Sequence, residues 1–160
     1  ECYRQRPDVN GVVHAHPPTA VALTCVGISL EHCILPEAVI MLGLVPTAPY
    51  AAPCGTENRD SVCDLIASHD AIMLANHGSL TMGDDVWQAY LRLEVLEHLA
   101  NGIYRAHQLG GAKPLPIDEV EKLLELRQRS GLAHPHDEEL FREWYDSMRY
   151  RYDYFRVTAG

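Results

Sequence analysis

The segment Gly11-Val12-Val13-His14-Ala15-His16 constrains this chain more than any other, because it demands a short strand that ends in two histidines. The paired β-branched valines favour a pleated strand. Pro17-Pro18 stops it at once and is tolerated in the first turn of a following helix, here a small apolar one to about Cys25. Side chains alternate along a strand, so His14 and His16 project from one side, about 6–7 Å apart along the chain, with Ala15 facing the other. Two imidazoles so placed can converge on one ion at Zn–N distances of about 2.0–2.1 Å. Two unrelated histidines are the other reading of the same pattern.

A third histidine stands at a comparable strand end. Asp70-Ala71-Ile72-Met73-Leu74-Ala75-Asn76 is a continuous apolar run that reaches a turn at His77-Gly78, and Ser79 to Met82 returns as the second arm of a hairpin. Three protein nitrogens, from His14, His16 and His77, leave coordination positions open for substrate oxygens, as in a catalytic rather than a structural zinc site.

Around these strands the chain reads mostly as helix. A helix ends near Arg6, before Pro7 and a turn over Asp8-Val9-Asn10-Gly11. Strand candidates lie at Ala38 to Leu42 and Val45 to Tyr50, and Thr56 caps a helix to about Ser68. The longest helix runs from Asp84 to about Leu109, with Val86, Tyr90, Leu93, Leu96, Ala100, Ile103 and His107 at helical spacing. Two amphipathic helices follow, Pro116 to Ser130 and Asp137 to about Tyr150. The expectation is one domain over residues 1–160, with 111–160 supplying C-terminal helices and an aromatic tail (Trp144-Tyr145, Tyr150, Tyr152, Tyr154-Phe155) suited to an interface. Mixed strands and helices in a largely antiparallel pattern suggest an α/β sandwich.

Composition excludes several classes. Thirteen Lys and Arg against 22 Asp and Glu give a net charge of −9, which argues against a nucleic-acid surface. No apolar run reaches the ~20 residues that span a bilayer. The five cysteines are scattered and odd in number, without a C-x-x-C pair, which fits a reducing cytoplasm rather than a disulfide framework. The chain opens on Glu1-Cys2-Tyr3, without an initiator Met and already within a helix, so an N-terminal portion is expected to precede it.

Arg6-Pro7-Asp8-Val9 leading to Val12-Val13-His14-Ala15-His16-Pro17-Pro18 resembles the metal-binding strand of the class II aldolase/adducin family. Ala48-Pro49-Tyr50 with Gly55-Thr56-Glu57, the Ala75-Asn76-His77-Gly78 turn and the helix from Trp87 to Ala100 are similar to its next landmarks, in the same order over about residues 3–110. The resemblance implies a three-layer α/β/α sandwich with a mostly antiparallel central sheet. It implies a metal-dependent enzyme of the kind that includes fuculose-phosphate aldolase, rhamnulose-phosphate aldolase and ribulose-phosphate 4-epimerase, with a carbon–carbon lyase as the leading expectation. His14, His16 and His77 would hold Zn2+ or another divalent ion such as Mn2+, which stabilises the enediolate formed when a C–C bond breaks. The partners it implies are a small-molecule substrate and further copies of the chain in a homotetramer. The acidic residue that often completes such sites, and the phosphate-binding loops, would lie upstream of Glu1.

The fuculose-phosphate branch carries a tyrosine in the region of Cys33 to Glu37, and none is present here. The rhamnulose-phosphate branch places a glutamate ahead of the Gly-Thr turn, and Glu37 occupies a comparable place as candidate acid/base. Partial desolvation between Pro36 and Ala38-Val39-Ile40 would raise its pKa to a useful value; the alternative is a carboxylate pointing to water at a strand start. His98 and His107 are expected in packing or surface roles, His134-Pro135-His136 in a linker, His32 in a loop, and His69 as a helix-ending cation. Retro-aldol cleavage leads. Decarboxylation of a hydroxylated aromatic or pyridine carboxylate, 4-epimerisation of a sugar phosphate, and an adducin-like assembly module without catalysis are the alternatives.

Overall fold

A computed structural model describes residues 1–52 and 56–157, and within these the side chains of all but residues 58 and 149–157. Its elements run α1 (Cys2–Gln5), β1 (Gly11–Ala15), α2 (Pro18–Cys25), α3 (Pro36–Leu42), β2 (Thr47–Ala48), α4 (Thr56–Ile66), β3 (Ala71–Leu74), β4 (Gly78–Gly83), α5 (Val86–Gln108), α6 (Ile117–Arg129) and α7 (Asp137–Val157). The strands form one sheet in the order β1-β4-β3-β2. β4 pairs antiparallel with β1 (His14 opposite Leu80) and with β3 (Leu74 opposite Gly78), while β2 runs parallel to β3. The sheet is therefore mixed where a mostly antiparallel one was expected. The parallel pair arises because α4 lies between β2 and β3 and carries the chain back to the same sheet end.

β3 shows why the molecule has three layers. All four of its side chains are buried, as its unbroken apolar run requires of a strand covered on both faces. Ala71 and Met73 pack with Ala20 and Leu23 of α2, Leu42 of α3, and Leu96, Ala100 and Ile103 of α5. Ile72 and Leu74 point the other way, to Cys2 of α1 and Val62 and Ile66 of α4. Each fully buried Leu, Ile, Val or Met among them contributes about 1.5–3 kcal/mol. A third cluster, with Val39, Val120, Phe141 and Trp144, seats α6 and α7 on α3.

The segment Ala38 to Leu42 is a helix, not a strand. Pro36 opens its first turn, Ala38, Val39 and Leu42 bury one face, and Gly43 at φ 71° ends it in a conformation that costs other residues. An apolar run without alternation does not distinguish the two forms. The second candidate, Val45 to Tyr50, contributes only Thr47–Ala48 to the sheet. In α5, Asp85 caps the start by accepting from the Gln88 N–H at 2.7 Å, worth about 1 kcal/mol. The buried face of α5 carries Ala89, Arg92, Leu96, Leu99, Ala100 and Ile103, whereas Val86, Tyr90 and His107 are exposed.

Asp70, immediately before β3, is 4% exposed and draws three arginines together. Arg6 and Arg92 reach it at 2.9 Å and Arg127 at 3.5 Å, which ties α5, α6 and the end of α1 to the sheet. Arg127 also pairs with Asp137 at 2.7 Å and donates to the Ile40 carbonyl near the end of α3. Among the described residues no helix is long and apolar enough to cross a membrane. Gly55 of the expected Gly-Thr landmark, and the side chains of Tyr150, Tyr152, Tyr154 and Phe155, lie outside the described residues.

Candidate metal centre

Two chain segments meet at one end of the sheet. β1 brings His14 on the same face as Val12, and His16 follows just past its last residue before the two prolines end the strand. The β3–β4 hairpin brings His77, the last residue of the loop Ala75-Asn76-His77. Asn76 adopts φ 55°, a left-handed conformation that Asn tolerates better than most residues. Gly78 then lets the hairpin pass close beneath the histidines. A Cβ there would stand 2.5 Å from the Ala15 carbonyl oxygen, 2.7 Å from His16 Cδ2 and 3.0 Å from His14 Cε1.

The three imidazoles form a nearly equilateral group. Ring centroids are 5.0 Å apart for His14 and His16, 5.0 Å for His14 and His77, and 5.1 Å for His16 and His77. One ring nitrogen from each lies within 4.8 Å of the others, and among the described residues this is the one such cluster of His, Cys, Asp and Glu. His14 and His16 approach through their Nε2 atoms, at 3.2 Å. Two nitrogens on a tetrahedral ion at ordinary Zn–N distances stand about 3.3–3.4 Å apart, so the pair is spaced as ligands are. His14 Nδ1 donates to the Ser79 carbonyl at 2.9 Å, which leaves Nε2 with its lone pair toward His16. Burial, and then the neighbouring His14 and His16 rings, push the pKa of His77 below its ordinary value, and its buried Nδ1 has no hydrogen-bond partner. A neutral ring is what metal ligation needs. The donor set thus fits a divalent transition ion bound by three imidazoles, with open positions for other ligands.

Glu37 is not part of this cluster. It lies in the first turn of α3, its side chain 46% exposed, with Oε1 3.2 Å from His98 Nε2. The desolvation expected of it is absent, because the first turn of a helix presents it to solvent where a strand would have tucked it against the apolar run. The remaining histidines also lie outside the cluster. His69 is buried, and that burial lowers its pKa, so it does not serve as the helix-ending cation expected from its position. His134 is buried rather than free in a linker; its ring stacks on His136 with centroids 5.4 Å apart. His107 is exposed at the end of α5, with Nδ1 3.2 Å from the Ile103 carbonyl. The partnership of His14 with the Ser79 carbonyl was not visible beforehand. Pairing the predicted hairpin with the first strand is the step that would have found it.

The Class II Aldolase and Adducin N-terminal domain matches residues 1–104. The chain is similar to the 3-oxo-tetronate 4-phosphate decarboxylase of Escherichia coli, at 31% identity over 78% of this chain and 59% of that protein. It is also similar to the L-fuculose phosphate aldolase of Methanococcus maripaludis, at 34% identity over 68% of this chain and 58% of that protein. Among solved structures it resembles YgbL of Klebsiella pneumoniae, a candidate aldolase/epimerase/decarboxylase, with TM-score 0.67 and 31% identity over 76% of this chain and 60% of the other. The chain therefore spans somewhat under two thirds of the length of these curated relatives. With its sheet flanked by helices and its landmarks in order, the chain belongs to the class II aldolase and adducin family.

Proposed function

We propose that the protein is a divalent-metal-dependent carbon–carbon lyase that cleaves a small hydroxy-carbonyl substrate by a retro-aldol reaction, with sugar phosphates as the first class to try. The observation that carries this reading is the cluster of His14, His16 and His77, which offers nitrogen donors alone, with His14 and His16 exposed to solvent. These three residues would hold zinc or a similar divalent ion, whose Lewis acidity favours negative charge on a substrate oxygen as the C–C bond breaks. The chain's own contribution is orientation. The Ser79 carbonyl keeps the proton of His14 on Nδ1, and the Gly78 turn sets His77 against the other two rings. Glu37 is the proposed proton carrier, its Oε1 3.2 Å from His98 Nε2. The working assembly is a homo-oligomer, a tetramer by family likeness.

Metal analysis of the purified protein tests the centre, with about one divalent ion per chain expected. His77→Ala should lose both ion and activity; a fully active variant would reject the ligand assignment. Glu37→Gln should keep the metal and lose turnover, and unchanged turnover would remove Glu37 from the reaction. The second reading is decarboxylation, favoured by the 31% identity to the Escherichia coli decarboxylase. Incubation with sugar phosphates and with oxo- and hydroxyaromatic acids separates the two, since one yields an aldehyde and the other carbon dioxide.

A further inference from the structure

We propose that Glu97 is a positioning residue of the histidine centre, acting through α2 and without touching the ion; the inference rests on the metal-centre reading above. Pro17, directly after His16, is the N-cap of α2 and Pro18 its first residue, and neither carries an N–H. The first donors are therefore the N–H groups of Thr19 and Ala20, and no side chain of the helix's own cap reaches them. Glu97 supplies both partners from α5. Its Oε1 accepts from Thr19 and its Oε2 from Ala20, each at 2.9 Å. The fork is charge-assisted and sits at the positive end of α2, and Asn101 Nδ2 holds Oε1 from the side at 3.2 Å.

The other end of α2 is fastened to the third histidine. Thr24 Oγ1 accepts from the Asn76 N–H at 3.0 Å and donates to the Val21 carbonyl at 2.8 Å. Asn76 is the residue with positive φ immediately before His77. One short helix thus connects the segment carrying His16 to the loop carrying His77, and Glu97 anchors it to the 23-residue α5. Releasing the anchor lets the two ligand segments drift apart, although none of their own hydrogen bonds is removed.

The test uses the full chain and cobalt(II), whose visible absorption reports the coordination geometry. Wild type should take up about one ion and His77→Ala none. Glu97→Ala should weaken cobalt affinity by about tenfold or more and change the shape of the absorption band. Glu97→Gln, which keeps one acceptor oxygen, should fall between. Thr24→Val should weaken binding without touching Glu97, and Glu125→Ala, which removes an exposed carboxylate on α6, should leave it unchanged. If Glu97→Ala does not fold, the Gln and Thr24 variants decide the matter by the same readout. Should wild type bind and His77→Ala fail, while the Glu97 and Thr24 variants match wild type in affinity and band shape and lose only melting temperature, Glu97 is a helix cap alone and the inference is overturned. A wild type that binds no cobalt overturns the metal-centre reading, and the inference with it.

Discussion

His14 Nδ1 stands 2.9 Å from the carbonyl oxygen of Ser79, a residue of the neighbouring strand β4. A carbonyl only accepts, so the ring proton sits on Nδ1 and Nε2 keeps its lone pair. The backbone of the sheet therefore selects the tautomer that the proposed ion would need. Nitrogen-15 chemical shifts of the chelator-treated protein at neutral pH should show a proton on Nδ1 of His14 and a pyridine-like Nε2. A protonated Nε2 would show that the sheet does not orient this ligand.

Gly78 makes a second prediction, through space rather than backbone freedom. A methyl group there would meet the Ala15 carbonyl at 2.5 Å and the rings of His16 and His14 at 2.7 and 3.0 Å. The carbonyl belongs to a paired strand and cannot swing away. Gly78→Ala should lower stability by about 1–3 kcal/mol, as overpacking does, and weaken metal binding at least as strongly as loss of one ligand contact. Metal titration and thermal unfolding of the same variant check this, and wild-type affinity would show that the hairpin tolerates displacement.

The sequence made the histidine strand and the apolar hairpin legible because both obey local rules: alternation, β-branching and turn chemistry. Ala38 to Leu42 reads as strand because its apolar run has no period, and only packing shows a helix whose Ala38 and Leu42 face α5 while Val39 faces α6. Arg92 and Arg127 sit on amphipathic helices where arginine ordinarily faces water, yet both are nearly fully buried. Their partner, Asp70, lies 22 and 57 residues away in sequence, and no local pattern announces a pairing of that range. Glu97 is hidden for the same reason, since its partners are 77 and 78 residues distant.

Asp70 is the residue whose loss should cost the fold most. Three guanidinium groups converge on it, at 2.9, 2.9 and 3.5 Å, and its side chain is 5% exposed. Asp70→Asn keeps the shape but leaves three buried cations with less compensation. Breaking a buried ion pair from one side typically costs about 3–5 kcal/mol. Urea unfolding should show a lower midpoint with an unchanged slope. A loss below about 1 kcal/mol would mean that Asp8 and Asp137 already balance the arginines.

Two buried histidines give the stability a pH dependence of definite sign. Burial lowers the pKa of His69 below its ordinary 6.5, against the raising effects of the Leu65 carbonyl, Asp70 and Asp137. Burial, followed by the charge of Arg6, lowers that of His134 in the same way. Between the unfolded value and the depressed folded ones, the unfolded chain binds more protons than the native state. Stability is then fully present above 6.5 and is lost as pH falls through the folded values. His77 is shifted in the same direction and adds to the loss in the metal-free protein. Urea midpoints measured with chelator present should hold steady above about pH 7 and fall steadily on the way to about pH 5. Replacing His69 and His134 together by Gln should flatten that slope. A midpoint that stays constant or rises on acidification would show that both rings accept a proton without leaving their places.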